Sequence, residues 1–163
     1  MTDLMILGNH LNIAIEAKFT EYFKNKPQLI KQWLSEGNAE NRKTVLGYWT
    51  SLIKLFSKGF SEKHLNQVCY QFYHRTASAC KTFGNAIVVY QIFYDDETKG
   101  FVQKYKNEIK NYVKILNPKE NLSFYIWEIG VKQLIMDSDN INPFIEMKRN
   151  DMYEILKTRF EKI

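Results

Sequence analysis

Cys69, His74 and Cys80 are the densest run of chemically versatile side chains in this sequence, and they raise the question of a redox or metal site. Spacing answers it. Eleven residues along a continuous helix would put both thiols on one face but about 16 Å apart along the axis. A disulfide needs Cα atoms within about 7 Å, so the pair does not bridge. His74 projects about 140° from Cys69 around the same helix. The other histidines, His10 and His64, are remote in sequence, and structural zinc sites use tighter Cys/His pairs. Both thiols therefore read as small buried hydrophobes, and His74 as a solvated residue opposite the apolar stripe.

Oxygen ligands fare no better. Asp137–Lys148 begins like a calcium loop. It then places Ile141 at the fifth position, Asn142 where the turn needs glycine, and Lys148 where a bidentate glutamate closes the site. Asp95, Asp96 and Glu97 are adjacent carboxylates in a loop, a pattern that is usually just solvated. No glycine-rich phosphate loop, dinucleotide fingerprint, nucleophile elbow or paired Glu-x-x-His motif occurs. The sequence thus calls for no catalytic residue, no metal and no cofactor. A catalytic site would have to be assembled from distant residues, with His10, His64, His74, Asp95, Asp96 and Glu97 the first to inspect.

Basic residues carry the alternative. Lys99, Gln103, Lys106, Lys110 and Lys114 recur at helical spacing and would form one polar stripe about 20 Å long. Such a stripe suits non-specific phosphate contact. Lys63, Tyr70, His74 and Lys81 would give a neighbouring helix a second basic face. The formal net charge of +5 permits a nucleic-acid partner without requiring one. Four arginines are few for base readout. The composition is skewed toward Phe, Tyr, Ile, Asn and Lys, as in an AT-rich genome, which supplies lysine for reasons unrelated to binding. A helix-turn-helix over Ala39–Ser57 would bury Arg42 and Lys43, so one continuous amphipathic helix accounts better for those residues.

The elements that would position these side chains read as helices. Leu4, Leu7, Leu11, Ile15, Phe19 and Tyr22 recur at helical spacing behind a Thr2 or Asp3 cap. Pro27 opens a short helix that ends at Gly37, and Asn38 caps a third that stops at Gly59. From Ser61, a stripe running from Leu65 through Phe72, Cys80 and Ile87 to Tyr94 predicts a long central helix near residues 61–94. "AIVVYQIFY" also has strand composition, but the periodic Phe101, Tyr105, Ile109, Tyr112 and Leu116 that follow favour helix throughout. "NPKE" at Asn117 and "NPF" at Asn142 read as two further helix starts.

With 7 Gly and 3 Pro there is little punctuation for a many-stranded fold. The expectation is a single all-α domain, residues 1–163, built as a compact bundle of five to seven helices. No signal-peptide pattern or membrane-length apolar run is visible, which points to a cytoplasmic protein or one delivered without a cleaved signal. Abundant folding signals and absent chemical motifs point to a non-catalytic binding protein acting on a protein partner, as a regulator, inhibitor or effector. Nucleic-acid binding through the lysine stripe is the alternative.

Overall fold

Asn85–Tyr94 is where the helical expectation fails first. Its β-branched and aromatic side chains form a strand at the centre of a sheet, not the end of a rod. The computed structural model describes residues 4–19, 27–82, 84–133 and 153–163. Its elements run β1 (Leu4–Leu7), β2 (Leu11–Phe19), α1 (Ile30–Ser35), α2 (Ala39–Leu55), a 3-10 helix (Glu62–Gln67), α3 (Tyr70–Ala79), β3 (Asn85–Tyr94), α4 (Lys99–Leu116), β4 (Leu122–Gln133) and β5 (Tyr153–Lys162). The fold is mixed α/β, with a five-stranded sheet in the order β1-β2-β3-β4-β5. The all-α bundle and its long central helix are therefore overturned.

The reasons are local. Gly8 donates its N–H to the Leu11 carbonyl at 3.0 Å, closing the tight turn that folds β1 back on β2 where one helix was expected. The expected rod of residues 61–94 is broken into the 3-10 helix, α3 and β3. Gly84 makes the turn into β3 with φ of +133°, and a Cβ there would lie 2.6 Å from the His10 carbonyl oxygen. Only glycine fits so close a backbone approach. Asn117 ends α4 in the left-handed conformation instead of starting a helix, and β4 follows. The last expected helix also fails: Tyr153–Lys162 is a strand. Its start at Asn142, and the calcium-like loop Asp137–Lys148, lie outside the described residues. The expected helices at α1, α2 and α4 do form, α2 as one continuous helix whose Asn38 cap accepts the Asn41 N–H at 3.0 Å.

Strands β2, β3 and β4 run parallel, and the outer pairs are antiparallel. Parallel neighbours need crossover connections. Here α1 to α3 join β2 to β3, and α4 joins β3 to β4. Helix α3 meets the sheet through Phe72, edge-on to Tyr90 at 5.2 Å, and through Arg75. Helix α4 meets it through Tyr112, edge-on to Phe124 at 6.2 Å, and through Lys106. Every one of these strand partners shares the parity of Ala14, Tyr90 and Phe124, so both helices lie on one face. Between them sits the core, with Ala14, Tyr90, Ile92, Phe124 and Ile126 from the strands. Helices α1 and α2 pack outside α3, where the Tyr73 hydroxyl donates to Thr50 Oγ1 at 2.9 Å.

The helix-covered face also holds buried polar groups. Arg75 Nη2 and Nε both lie 2.9 Å from Glu16 Oε2, and Lys18 Nζ is 3.2 Å from Glu16 Oε1. Burial raises the Glu16 pKa and Lys18 opposes that rise; with two cations on its oxygens the carboxylate has a reason to stay ionised. Asn12 donates to the Ala79 carbonyl and the Thr82 hydroxyl, tying β2 to the end of α3. No described helix is long and apolar enough to cross a membrane.

Candidate interaction surface

A strand sends alternate side chains to opposite faces. The residues of odd parity on β2, β3 and β4 therefore point away from α3 and α4. The register aligns them in rows across the sheet. One row is Leu4, Ile15, Val89, Tyr125 and Lys162; another is Ile6, Ile13, Ile87 and Ser123; a third is Ala17, Gln91, Trp127 and Phe160. This face is aliphatic toward β1 and aromatic toward β5. Tyr125 stacks on Phe160 at 5.0 Å, and Trp127 meets the same ring at 6.3 Å. Among the described residues its one charged side chain is Lys162, whose Nζ sits 5.9 Å from the Tyr125 ring. Val89, Ile129 and Val131 are buried at its middle. Its flanks are open: Leu4 is 54% and Ile6 47% exposed on one side, Ile155 62% and Phe160 59% on the other.

The lysine stripe is interrupted at its centre, where Lys106 turns inward, while Lys99, Gln103, Lys110 and Lys114 are exposed. Lys106 is only 5% exposed, with Nζ 2.5 Å from Glu128 Oε1 and 3.0 Å from Glu161 Oε2. Burial works against its charge, but the hydrogen bonds it donates to the two carboxylates raise its pKa overall. Lys110 pairs with Glu161 at 2.6 Å, and together with Lys106 holds that carboxyl down at about 2. Lys99 pairs with Asp96 at 3.0 Å, and Gln103 donates to Asn107 at 2.8 Å. Lys114 is exposed.

The second basic group goes elsewhere. Tyr70 and His74 face Trp33 of α1 and Trp49 of α2, so they do not merge with the α4 stripe. Trp33 stacks on Tyr70 at 5.1 Å and on Trp49 at 5.2 Å, while Trp49 lies 4.7 Å from His74. Arg42 caps the cluster, 5.0 Å from the Trp33 ring centroid. The rings are spent on one another and pin α1 and α2 to α3. His74 is thus half-buried instead of solvated, and burial first, then Lys81, lowers its pKa. Lys63 and Lys81 are exposed.

Cys69 and Cys80 flank α3 as its two end caps, free and buried. They are fillers, as the spacing suggested, though not on a continuous helix. Burial raises both thiols, Cys80 to about 12, so neither is primed as a nucleophile. The carboxylates and histidines proposed for a dispersed catalytic site are scattered. His10 sits in the β1–β2 turn, beside the start of β3, and Asp95 follows the end of β3. A ten-residue strand separates them by about 30 Å. Asp95 accepts from the Thr98 N–H and hydroxyl, and so shapes the start of α4.

Sequence spacing missed this apolar sheet face altogether. The signal was present in "LNIAIEAKF", where Leu11, Ile13, Ile15 and Ala17 alternate with Asn12, Glu16 and Lys18. It missed Glu128 and Glu161 as partners of Lys106 because no local pattern announces a contact between α4 and two strands.

Comparison with known proteins gives one result. No curated protein and no solved structure matches this chain. A family described as a domain of unknown function matches residues 1–128, from β1 into β4. The chain therefore belongs to that family, DUF6946.

Proposed function

We propose that this protein is a non-catalytic binding protein that engages a protein partner through the exposed apolar flanks of its sheet. The observation that carries this is the apolar face itself, with Leu4, Ile6, Ile155 and Phe160 about half exposed or more. Exposed apolar side chains clustered along an element mark interaction sites on globular proteins. Aromatic residues such as Tyr125, Trp127 and Phe160 are the side chains that dominate such interfaces. The surface is a sheet, where a helical one was expected. Nucleic-acid binding ranks second, because Lys106 at the centre of the stripe is buried against Glu128 and Glu161 and Glu161 also pairs with Lys110, which breaks the continuous run of free cations that phosphate contact would use.

Photo-crosslinking tests the proposal. Benzoylphenylalanine in place of Phe160 in the living source cell should give discrete protein adducts, while the same group in place of the exposed Lys104 of α4 should not. Adducts absent at 160, or equal at the two positions, would overturn it.

A further inference from the structure

We infer that the cleft between the start of α3 and α4 is a binding site for a small aromatic molecule that carries an ammonium group. The cleft encloses about 310 Å³, at the lower end of the range that ligand sites occupy. It lies on the helix-covered side of the sheet, apart from the flanks proposed above to meet a protein, so the two readings stand or fall separately.

Its walls are held before any ligand arrives. On one side, residues 28–30 and 68–70 run antiparallel, with the Tyr70 N–H donating to the Gln28 carbonyl and the Ile30 N–H to the Val68 carbonyl, both at 2.9 Å. This fixes Leu29, Val68 and Cys69 at the cleft. On the other side, Glu108, Asn111, Tyr112 and Ile115 share one face of α4 at positions i, i+3, i+4 and i+7. Phe72 and Tyr112 form the floor, both buried, with rings 5.8 Å apart. Phe72 is backed by Tyr90 and Tyr105 at 5.2 and 5.6 Å, and the Tyr112 hydroxyl donates to Thr76 Oγ1 at 2.8 Å. A ligand would therefore order few side chains on binding.

The lining sets the class of ligand. Two aromatic rings below and the aliphatic Leu29, Val68 and Ile115 around them suit a flat ring. Ile115 stands at the mouth, 37% exposed, where a bound ring would cover it. Gln67 and Asn111 add exposed amides at the rim. Glu108, half-buried, is the one charged side chain lining the cleft among the described residues. Two nearby positive features are directed elsewhere. Lys18 Nζ is turned to Glu16, at 3.2 Å, and the Gln71 and Phe72 N–H groups that open α3 donate to the Cys69 sulfur. The charge of the lining thus favours a cation over an anion.

Isothermal titration calorimetry on the purified full chain, with tryptamine and indole-3-acetate as probes up to the millimolar range, is the test. The two probes share a ring and differ in the sign of their charge. Tryptamine should bind at least about tenfold more tightly than the acetate, the ratio expected of a hydrogen bond to a charged group. Glu108→Gln should remove that preference, and Ile115→Trp, which fills the mouth of the cleft, should weaken tryptamine by about tenfold or more. Should the tryptophan variant unfold, methyl NMR of the wild-type chain replaces it: tryptamine should shift the Ile115 methyl signals and leave those of Ile155, on a sheet flank, in place. A chain that binds neither probe overturns the inference, as does equal affinity for the two or a preference that survives Glu108→Gln. Tryptamine binding that ignores Ile115→Trp, or an Ile115 signal that does not move, overturns it too. None of these outcomes alters the crosslinks expected from position 160, which report on the flanks alone.

Discussion

Replacing Lys106 with methionine separates a structural lysine from a binding one. The substitution leaves an unbranched side chain one heavy atom shorter and removes its charge. It leaves Glu128 and Glu161, which now share one ammonium at 2.5 and 3.0 Å, facing each other across adjacent strands. Removing one partner of a buried ion pair costs about 3–5 kcal/mol. The lower end applies here, about 3 kcal/mol, because the two carboxylates retain 14% and 24% side-chain exposure and Lys110 stays on Glu161. In a chain of this size that is a fall in Tm of about 6–12 °C. Lys114→Met, at an exposed position of the same helix, should move Tm by no more than about 2 °C. The difference should also depend on pH. Hydrogen bonds from Lys110 and Lys106 hold Glu161 at about 2 in the fold, against an ordinary value of 4.5. A carboxyl depressed on folding stabilises fully above its unfolded value, and loses that contribution as pH falls through its folded one. The gap between wild type and Lys106→Met should therefore be widest above pH 4.5 and narrow toward pH 2. Urea melts at several pH values read this directly. Equal melting of the two variants at neutral pH, or a gap that ignores pH, would refute the assignment and return Lys106 to the surface stripe.

Two further expectations concern the parts that hold the sheet in place. Glu16→Met should cost more stability than Arg75→Met, because Glu16 can be neutralised by a proton or by Lys18 at 3.2 Å, whereas a guanidinium keeps its charge; equal losses in denaturant midpoint would contradict this. Gly84→Ala should cost at least about 2 kcal/mol, since it forces a Cβ to 2.6 Å from the His10 carbonyl oxygen at a φ of +133°. Gly100→Ala, where nothing lies within 4 Å of the added carbon, should be neutral or stabilising, and the reverse order in thermal melts would show the turn to be built differently.

The helices were legible where their ends were marked. Asn38 and Gly37 separate α1 from α2, and the burial of Val102, Tyr105, Ile109, Tyr112 and Leu116 along α4 follows the period of a helix. The strands were lost to a degeneracy. A spacing of four residues returns to the same side of a helix, and also to the same side of a strand. Leu11, Ile15 and Phe19 satisfy both, as do Ala86, Tyr90 and Tyr94, or Leu122 and Ile126. Only the intervening positions discriminate: Ile13 and Ala17 on β2, Val88 and Ile92 on β3, Phe124 on β4. Asn-Pro at residues 117–118 carried a second ambiguity. Asparagine tolerates the left-handed conformation, so the same pair that can open a helix can close one, and here it closes α4 at a φ of 48°. The partners of Lys106 were unreadable for a different reason, because Glu128 and Glu161 come to it only through the order of the strands.

That order also explains why the described helices lie on one face of the sheet. Strands β2, β3 and β4 lie side by side in the sequence in which they are made, so crossovers of one hand carry their helices to the same side. A doubly wound sheet reverses direction once and gains cover on both sides; this one does not. Yet β3 reads Ala86, Ile87, Val88, Val89, Tyr90, apolar to both sides, which is how a strand reads when both of its faces are covered. Its neighbours agree, with Ile13 and Ile15 on β2 and Tyr125, Trp127 and Ile129 on β4. The strands are thus written for a sheet enclosed between two layers, and among the described residues the chain supplies helices to one. On that second side Val89, Ile129 and Val131 are buried within the single chain, while Leu4 and Ile6 on β1 and Ile155 and Phe160 on β5 are not, so the strands are covered on both sides at the middle of the sheet and exposed only along its two flanks.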